Sequence, residues 1–199
     1  MGQPTTFAAA RRASITAAVT ALAVCVSGCG ILGKSSDPPA VAEFVVSSPQ
    51  LRDGDPLPSG YSCHGTQGNP PLRWSFVPAD AKSIAIVVDD SSLAGSQVHW
   101  VLFDIPPGTT EVPENIADNL PDGARQGQTS QGTAAYVPPC NPQGTYRFSV
   151  YALREKVVTN GKSAPLSLSE GLLQDIASQT IARGRLTATG IESPRENRR

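Results

Sequence analysis

Two apolar runs separated by a few polar residues constrain this chain more than any other feature. Ser83–Asp89 reads S-I-A-I-V-V-D and Val98–Ile105 reads V-H-W-V-L-F-D-I, closed by Pro106-Pro107-Gly108. A nearly continuous β-branched run predicts a central strand buried on both faces. The link Ser92–Ser96 is short, so the two runs form a hairpin. Tyr146–Leu153 alternates and predicts a third core strand; Glu43–Ser47, Leu72–Phe76 and Arg185–Thr189 predict shorter ones. Pro and Gly, 18 of each, recur throughout and disfavour long helices. One helix stands out. Ser167 and Glu170 form a capping box, Leu172, Leu173, Ile176, Ala177 and Ile181 share a face, and Gly184 is a natural stop. From Pro106 to about Thr145 the chain is a long irregular segment of Gly, Pro, Asn and Gln, a length that in compact domains tends to be functional. The expectation is a mainly β, mainly antiparallel domain with one C-terminal α-helix and no internal repeat.

The N-terminus predicts export. Arg11 and Arg12 precede an uncharged apolar stretch from Ala13 to Val26, too short to span a bilayer, and Val26-Ser27-Gly28 leads into Cys29. Small residues directly before a cysteine mark a lipoprotein signal, in which the Cys29 thiol takes a diacylglyceryl group and the chain is cut before it. Val26 stands where leucine is more usual. Arg11-Arg12 also raises twin-arginine export, but Ala13-Ser14-Ile15 continues that motif poorly and the general route ranks above it. Residues 1–28 are then a signal peptide, 29–42 a lipidated tether, 43–190 the folded domain and 191–199 a frayed tail. The expected location is the extracytoplasmic face of a cell membrane.

The mature chain of about 170 residues suits one domain with a real core. Loss of Arg11 and Arg12 leaves 14 basic against 17 acidic residues, a charge of about −3. Basic residues gather only at Arg195, Arg198 and Arg199, which argues against nucleic acid as a partner. Cys25 leaves with the signal and Cys29 is acylated, so Cys63 and Cys140 remain, and in an exported protein such a pair is expected to form a disulfide. Neither has a zinc-type spacing, and no metal or cofactor is implied.

Two histidines could carry chemistry. His64 sits in a Cys-His-Gly-Thr turn and reads as a solvated loop residue. His99 lies within a strand, where an ionisable ring needs a partner. Asp89 and Asp90 end the preceding strand, so one of them can face His99; a histidine bonded to backbone within the core is the equal alternative. There is no G-x-S-x-G elbow, phosphate-cradling glycine loop or H-E-x-x-H motif. Asp53-Gly54-Asp55 starts like a calcium loop but lacks the later ligands and reads as a turn. Binding is expected rather than turnover.

An ordered set of segments carries a family resemblance. It comprises Phe44 with Ser47-Ser48, Leu57-Pro58, Tyr61-Ser62-Cys63-His64-Gly65, Pro70-Pro71-Leu72-Arg73-Trp74 and Lys82-Ser83-Ile84-Ala85. Asp89-Asp90, Val98-His99-Trp100-Val101, Asp104-Ile105-Pro106, Tyr136, Pro139-Cys140, Val150-Tyr151-Ala152-Leu153 and Ala182-Arg183-Gly184 follow. Over roughly residues 43 to 190 the chain resembles the bacterial branch of the phosphatidylethanolamine-binding proteins, the Raf-kinase-inhibitor-like proteins. The resemblance implies a β-sandwich with a pocket at one end for a phosphate or similar anion. Asp90 falls on the first aspartate of the family's D-P-D-A-P, His99 on the pocket histidine and Pro139 on the proline wall. Departures are plain. Ser92 replaces the second aspartate, Ser91 and Ala94 replace the prolines, and Gly144-Thr145-Tyr146-Arg147 stands where the family has G-x-H-R. The segment up to Val150 is also about two residues shorter. Tyr146 or Arg147 is expected to reach the cavity instead, with anion affinity lowered.

Three functions follow as expectations. The first is a membrane-anchored module binding a small anion or phospholipid headgroup at Asp90, His99, Pro139 and Tyr146. The second is a protein-interaction module, a protease inhibitor or regulator, with a vestigial pocket. The third is a weak hydrolase using His99 with Asp90, against which the missing nucleophile counts.

Overall fold

The computed structural model describes residues 41–91, 96–157 and 171–193. The Ser167–Glu170 capping box, Cys29 and most of the Ser92–Ser96 link lie outside them. The strands are β1 (Ala42–Glu43), β2 (Val45–Ser47), β3 (Leu72–Ser75), β4 (Ser83–Ser91), β5 (Val98–Ile105), β6 (Glu111–Val112), β7 (Arg125–Gly127), β8 (Thr145–Leu153) and β9 (Thr180–Thr189), with helix α1 (Leu172–Gln179) before the last. They form a six-stranded sheet in the order β1-β9-β8-β4-β5-β7 and a three-stranded sheet in the order β2-β3-β6. The expected β4–β5 hairpin is antiparallel, and β8 pairs along the other edge of β4. All pairings of the named strands are antiparallel except β1 with β9.

Alternation along the strands divides the interior into two cores. Ile84, Ile86 and Val88 of β4, Phe148 and Val150 of β8, and Leu72 and Trp74 of β3 fill the space between the sheets. Ala85 and Val87 of β4, with Val101 and Phe103 of β5, face the other way and are covered by Leu172 and Ile176 of α1. The two helix side chains are almost fully buried, each contributing roughly 1.5–3 kcal/mol. The six-stranded sheet is therefore covered on both faces at its centre, which explains why every residue of β5 is buried.

Several expectations need correction. The first strand is two: the chain leaves β9 after Glu43, turns at Phe44 and joins the other sheet at Val45. The helix ends at Gln179, and Ile181 and Gly184 belong to β9. Gly184 serves close approach rather than termination: a Cβ there would sit 2.5 Å from the Phe44 carbonyl oxygen and from a Val46 methyl. The expected tail from 191 starts too early, because the Ile191 backbone bridges Leu57 and the Glu192 amide donates to the Leu57 carbonyl at 2.8 Å. The irregular segment includes β6 and β7 and is held by side chains; Asn69 donates to the Pro113 carbonyl and accepts from the Ile116 amide, and Tyr61 donates to Glu114 at 2.8 Å. Asp53–Asp55 is a turn along the edge of β9, with the Asp53 carboxylate accepting from the Thr187 amide at 2.7 Å.

Candidate functional site

A bulge in β5 builds the site. Val88 is opposite Trp100, but Asp89 is opposite Val98, so His99 is an extra residue between two registers. A bulge re-aims one side chain without ending the pairing. Trp100 and Leu102 keep their places in the inter-sheet core while Val98 points to the helix side. His99 turns inward with them, toward Asp90 at the end of β4. On the other edge of β4, Asp90 is directly opposite Tyr146. One cross-strand row thus brings Asp90, His99 and Tyr146 together.

Each of the three is held from a different direction. The Asp90 carboxylate accepts from the Gln97 amide at 2.7 Å, the Asp90 amide donates to the Gln97 carbonyl at 2.9 Å, and the Ser96 hydroxyl donates to the Asp90 carbonyl at 2.7 Å. His99 Nδ1 lies 3.0 Å from the Val137 carbonyl oxygen, and the Val137 amide donates to the His99 carbonyl at 2.8 Å. With only a carbonyl opposite it, Nδ1 is the donor, so in the neutral ring Nε2 carries the lone pair. Nε2 is 3.7 Å from Asp90 Oδ2, beyond hydrogen-bond range, and it is a buried nitrogen with no partner among the described residues. The His99 ring meets Tyr146 edge-on, with centroids 5.7 Å apart. The Tyr146 hydroxyl donates to the Asn141 carbonyl. Burial raises the pKa of that hydroxyl and the Asp90 carboxylate raises it further, while the Asn141 bond opposes them. A Cβ on Gly144 would fall 2.5 Å from the Tyr146 oxygen, which leaves room only for glycine.

Pro139 is buried midway between Val137 and Asn141, the residues whose carbonyls hold His99 and Tyr146. Its own carbonyl accepts from the Cys63 amide at 2.9 Å. Cys63 and Cys140 form the expected disulfide, with Cα atoms 5.3 Å apart. One backbone run, Val137 to Asn141, therefore carries the wall of the site and is stapled to the Tyr61–Gly65 turn. Burying a ring nitrogen without a hydrogen bond is costly, and a carboxylate 3.7 Å away does not supply one.

Two of the remaining candidates lie elsewhere. Arg147 projects from the opposite face of β8, where it forms a two-pronged ion pair with Asp89, so Tyr146 alone of that pair reaches the site. His64 is exposed beside Cys63. Sequence reasoning missed the backbone partners Gln97, Val137 and Asn141. A carbonyl is common to every residue, so no residue type announced them.

Comparisons place this geometry among known proteins. The family model for phosphatidylethanolamine-binding protein matches residues 47–191. A UPF0098 protein of Methanothermobacter thermautotrophicus is 47% identical over 109 residues, spanning 52% of this chain and 72% of that one. The putative lipoprotein LppC of Mycobacterium tuberculosis H37Rv is 34% identical over 164 residues, spanning 71% of this chain and 80% of its own. The crystal structure of Escherichia coli YbcL, described as a new member of the mammalian PEBP family, superposes with a TM-score of 0.68. It shares 27% identity, and the match covers 76% of this chain and all of YbcL. The family match spans both sheets, the β5 strand that bears His99 and the loop that walls it; the chain belongs to the phosphatidylethanolamine-binding protein family.

Proposed function

We propose that this chain is an exported lipoprotein, anchored through Cys29 to the extracytoplasmic face of a membrane, that binds a phosphate-containing small ligand or headgroup between Asp90 and His99. The observation that carries the ligand reading is the buried, unpartnered Nε2 of His99 facing a buried carboxylate. Tyr146 and Pro139 form the walls. The anchor reading rests on the residues before Cys29 and on the likeness to LppC, a putative lipoprotein. Residues 1–28 are the signal, and the tether runs from Cys29 to the start of β1 at Ala42, one residue short of the expected bound.

Titration calorimetry with inorganic phosphate and with O-phosphoethanolamine tests the ligand. His99→Ala should weaken binding tenfold or more and His64→Ala should leave it unchanged; equal effects of the two would reject the site. Fractionation tests the anchor. Cys29→Ala should move the protein from membrane to soluble fractions, and retention in the membrane with normal processing would reject the lipoprotein reading. A second reading, a protein-interaction module with a reduced pocket, is favoured by one observation: Arg147, where the family places a pocket arginine, is spent on Asp89.

A further inference from the structure

We infer that the corner where the chain changes sheets is a membrane-docking surface, seated on the phospholipid interface beside the lipid anchor; this rests on the lipoprotein reading above. Among the described residues the exposed large hydrophobic side chains are Val41, Val45 and Phe76, the last 83% exposed. They are not scattered. Val45 pairs with Ser75 in the β2–β3 ladder, so Phe76 follows directly beside it, and Val41 precedes the same turn. Phe76 has a φ of 65°, a left-handed conformation that a bulky side chain rarely adopts. The ring is thus held outward by a backbone that gains nothing from it in the core, while the next residue, Val77, packs inward.

The patch lies on the outer face of the three-stranded sheet, since Val46 and Trp74, the neighbours of Val45 and Ser75, point into the core. An aromatic ring with aliphatic neighbours matches the boundary between acyl chains and headgroups. Location selects the bilayer as occupant. Only eleven residues lie between Cys29 and Val41, a reach of about 40 Å when extended. The anchor would hold this corner near the lipid at high effective concentration, so even weak insertion would orient the domain.

The test uses the full lipidated chain with Phe76→Trp, reconstituted into vesicles of phosphatidylglycerol and phosphatidylcholine whose acyl chains carry bromine. Trp74 and Trp100 are buried and give a fixed background. The introduced indole should be quenched at least twofold more than the unsubstituted chain. Combining it with Val41→Ser and Val45→Ser should halve that quenching. Flotation with the vesicles without extra quenching overturns the docking surface and leaves the anchor standing. Failure to float removes both. Quenching indifferent to the valine changes overturns the patch. A dimer in sedimentation that Phe76→Ser converts to monomer would assign the patch to a second copy instead.

Discussion

Asp89 and Asp90 are neighbours on one strand and meet opposite fates. Asp89 faces the helix side of the sheet, where Arg147 grips both its oxygens. Asp90 faces the space between the sheets, where one oxygen takes the Gln97 amide and the other stops 3.7 Å short of His99. The outer pair is complete and local, formed by residues directly opposite in the β4–β8 ladder. The inner pair is open; Asp90 is held by the nearby Gln97 backbone and His99 by the distant carbonyl of Val137. The same side chain thus serves structure on one face and is left available on the other. Asp89 is satisfied within the fold and contributes to stability there, whereas the Asp90–His99 pair does not close.

Four changes would break or sharpen that contrast. The largest effect is expected from removing the staple behind the inner site. Cys63→Ser with Cys140→Ser should cost about 4 kcal/mol of stability, the chain-entropy value for a loop of this length, and should weaken phosphate binding; chemical denaturation and calorimetry read both. Next, Arg147→Ala should cost about 2 kcal/mol, as for a lost charged hydrogen-bonded pair, with phosphate affinity unchanged. If affinity fell with stability, the two faces would not be independent. His99→Asn keeps a donor for the Val137 carbonyl and removes Nε2. It should change stability by less than about 1 kcal/mol and phosphate affinity tenfold, the reverse of Arg147→Ala. The smallest effect is alkaline. Burial raises the hydroxyl pKa values of Tyr61, Tyr136 and Tyr146. The unfolded chain, whose tyrosines titrate near about 10, sheds these protons first, so stability from them is complete below that pH and is lost above it. Urea midpoints should hold to about pH 9 and then fall, and Tyr146→Phe should flatten the fall.

Most of the framework was legible because burial on two faces writes itself into composition. The runs at 83–89 and 98–105 lie within β4 and β5 as expected. What escaped depended on tertiary contact. Gly184 reads as a helix stop until Phe44 is seen crossing over it. Phe44 reads as strand until the two sheets claim the residues on either side. In the site, the meeting of Asp90 and His99 was legible through the hairpin and the resemblance. The bulge that turns His99 inward was not, since no glycine marks it. Arg147 and Tyr146 looked equivalent in the motif, and only the parity of β8 separates them.

The pairing of β1 with β9 has a consequence for synthesis. Ala42 finds its partner in Ala182, 140 residues later. Until β9 emerges, β8 lacks one neighbour and the turn at Phe44 has no Gly184 to rest on. A topology whose first strand is closed by its last folds late, since the closing contacts span nearly the whole domain. A growing chain of this kind leaves its larger sheet incomplete until nearly all of the domain has been made. Delay, here, is a property of the strand order itself.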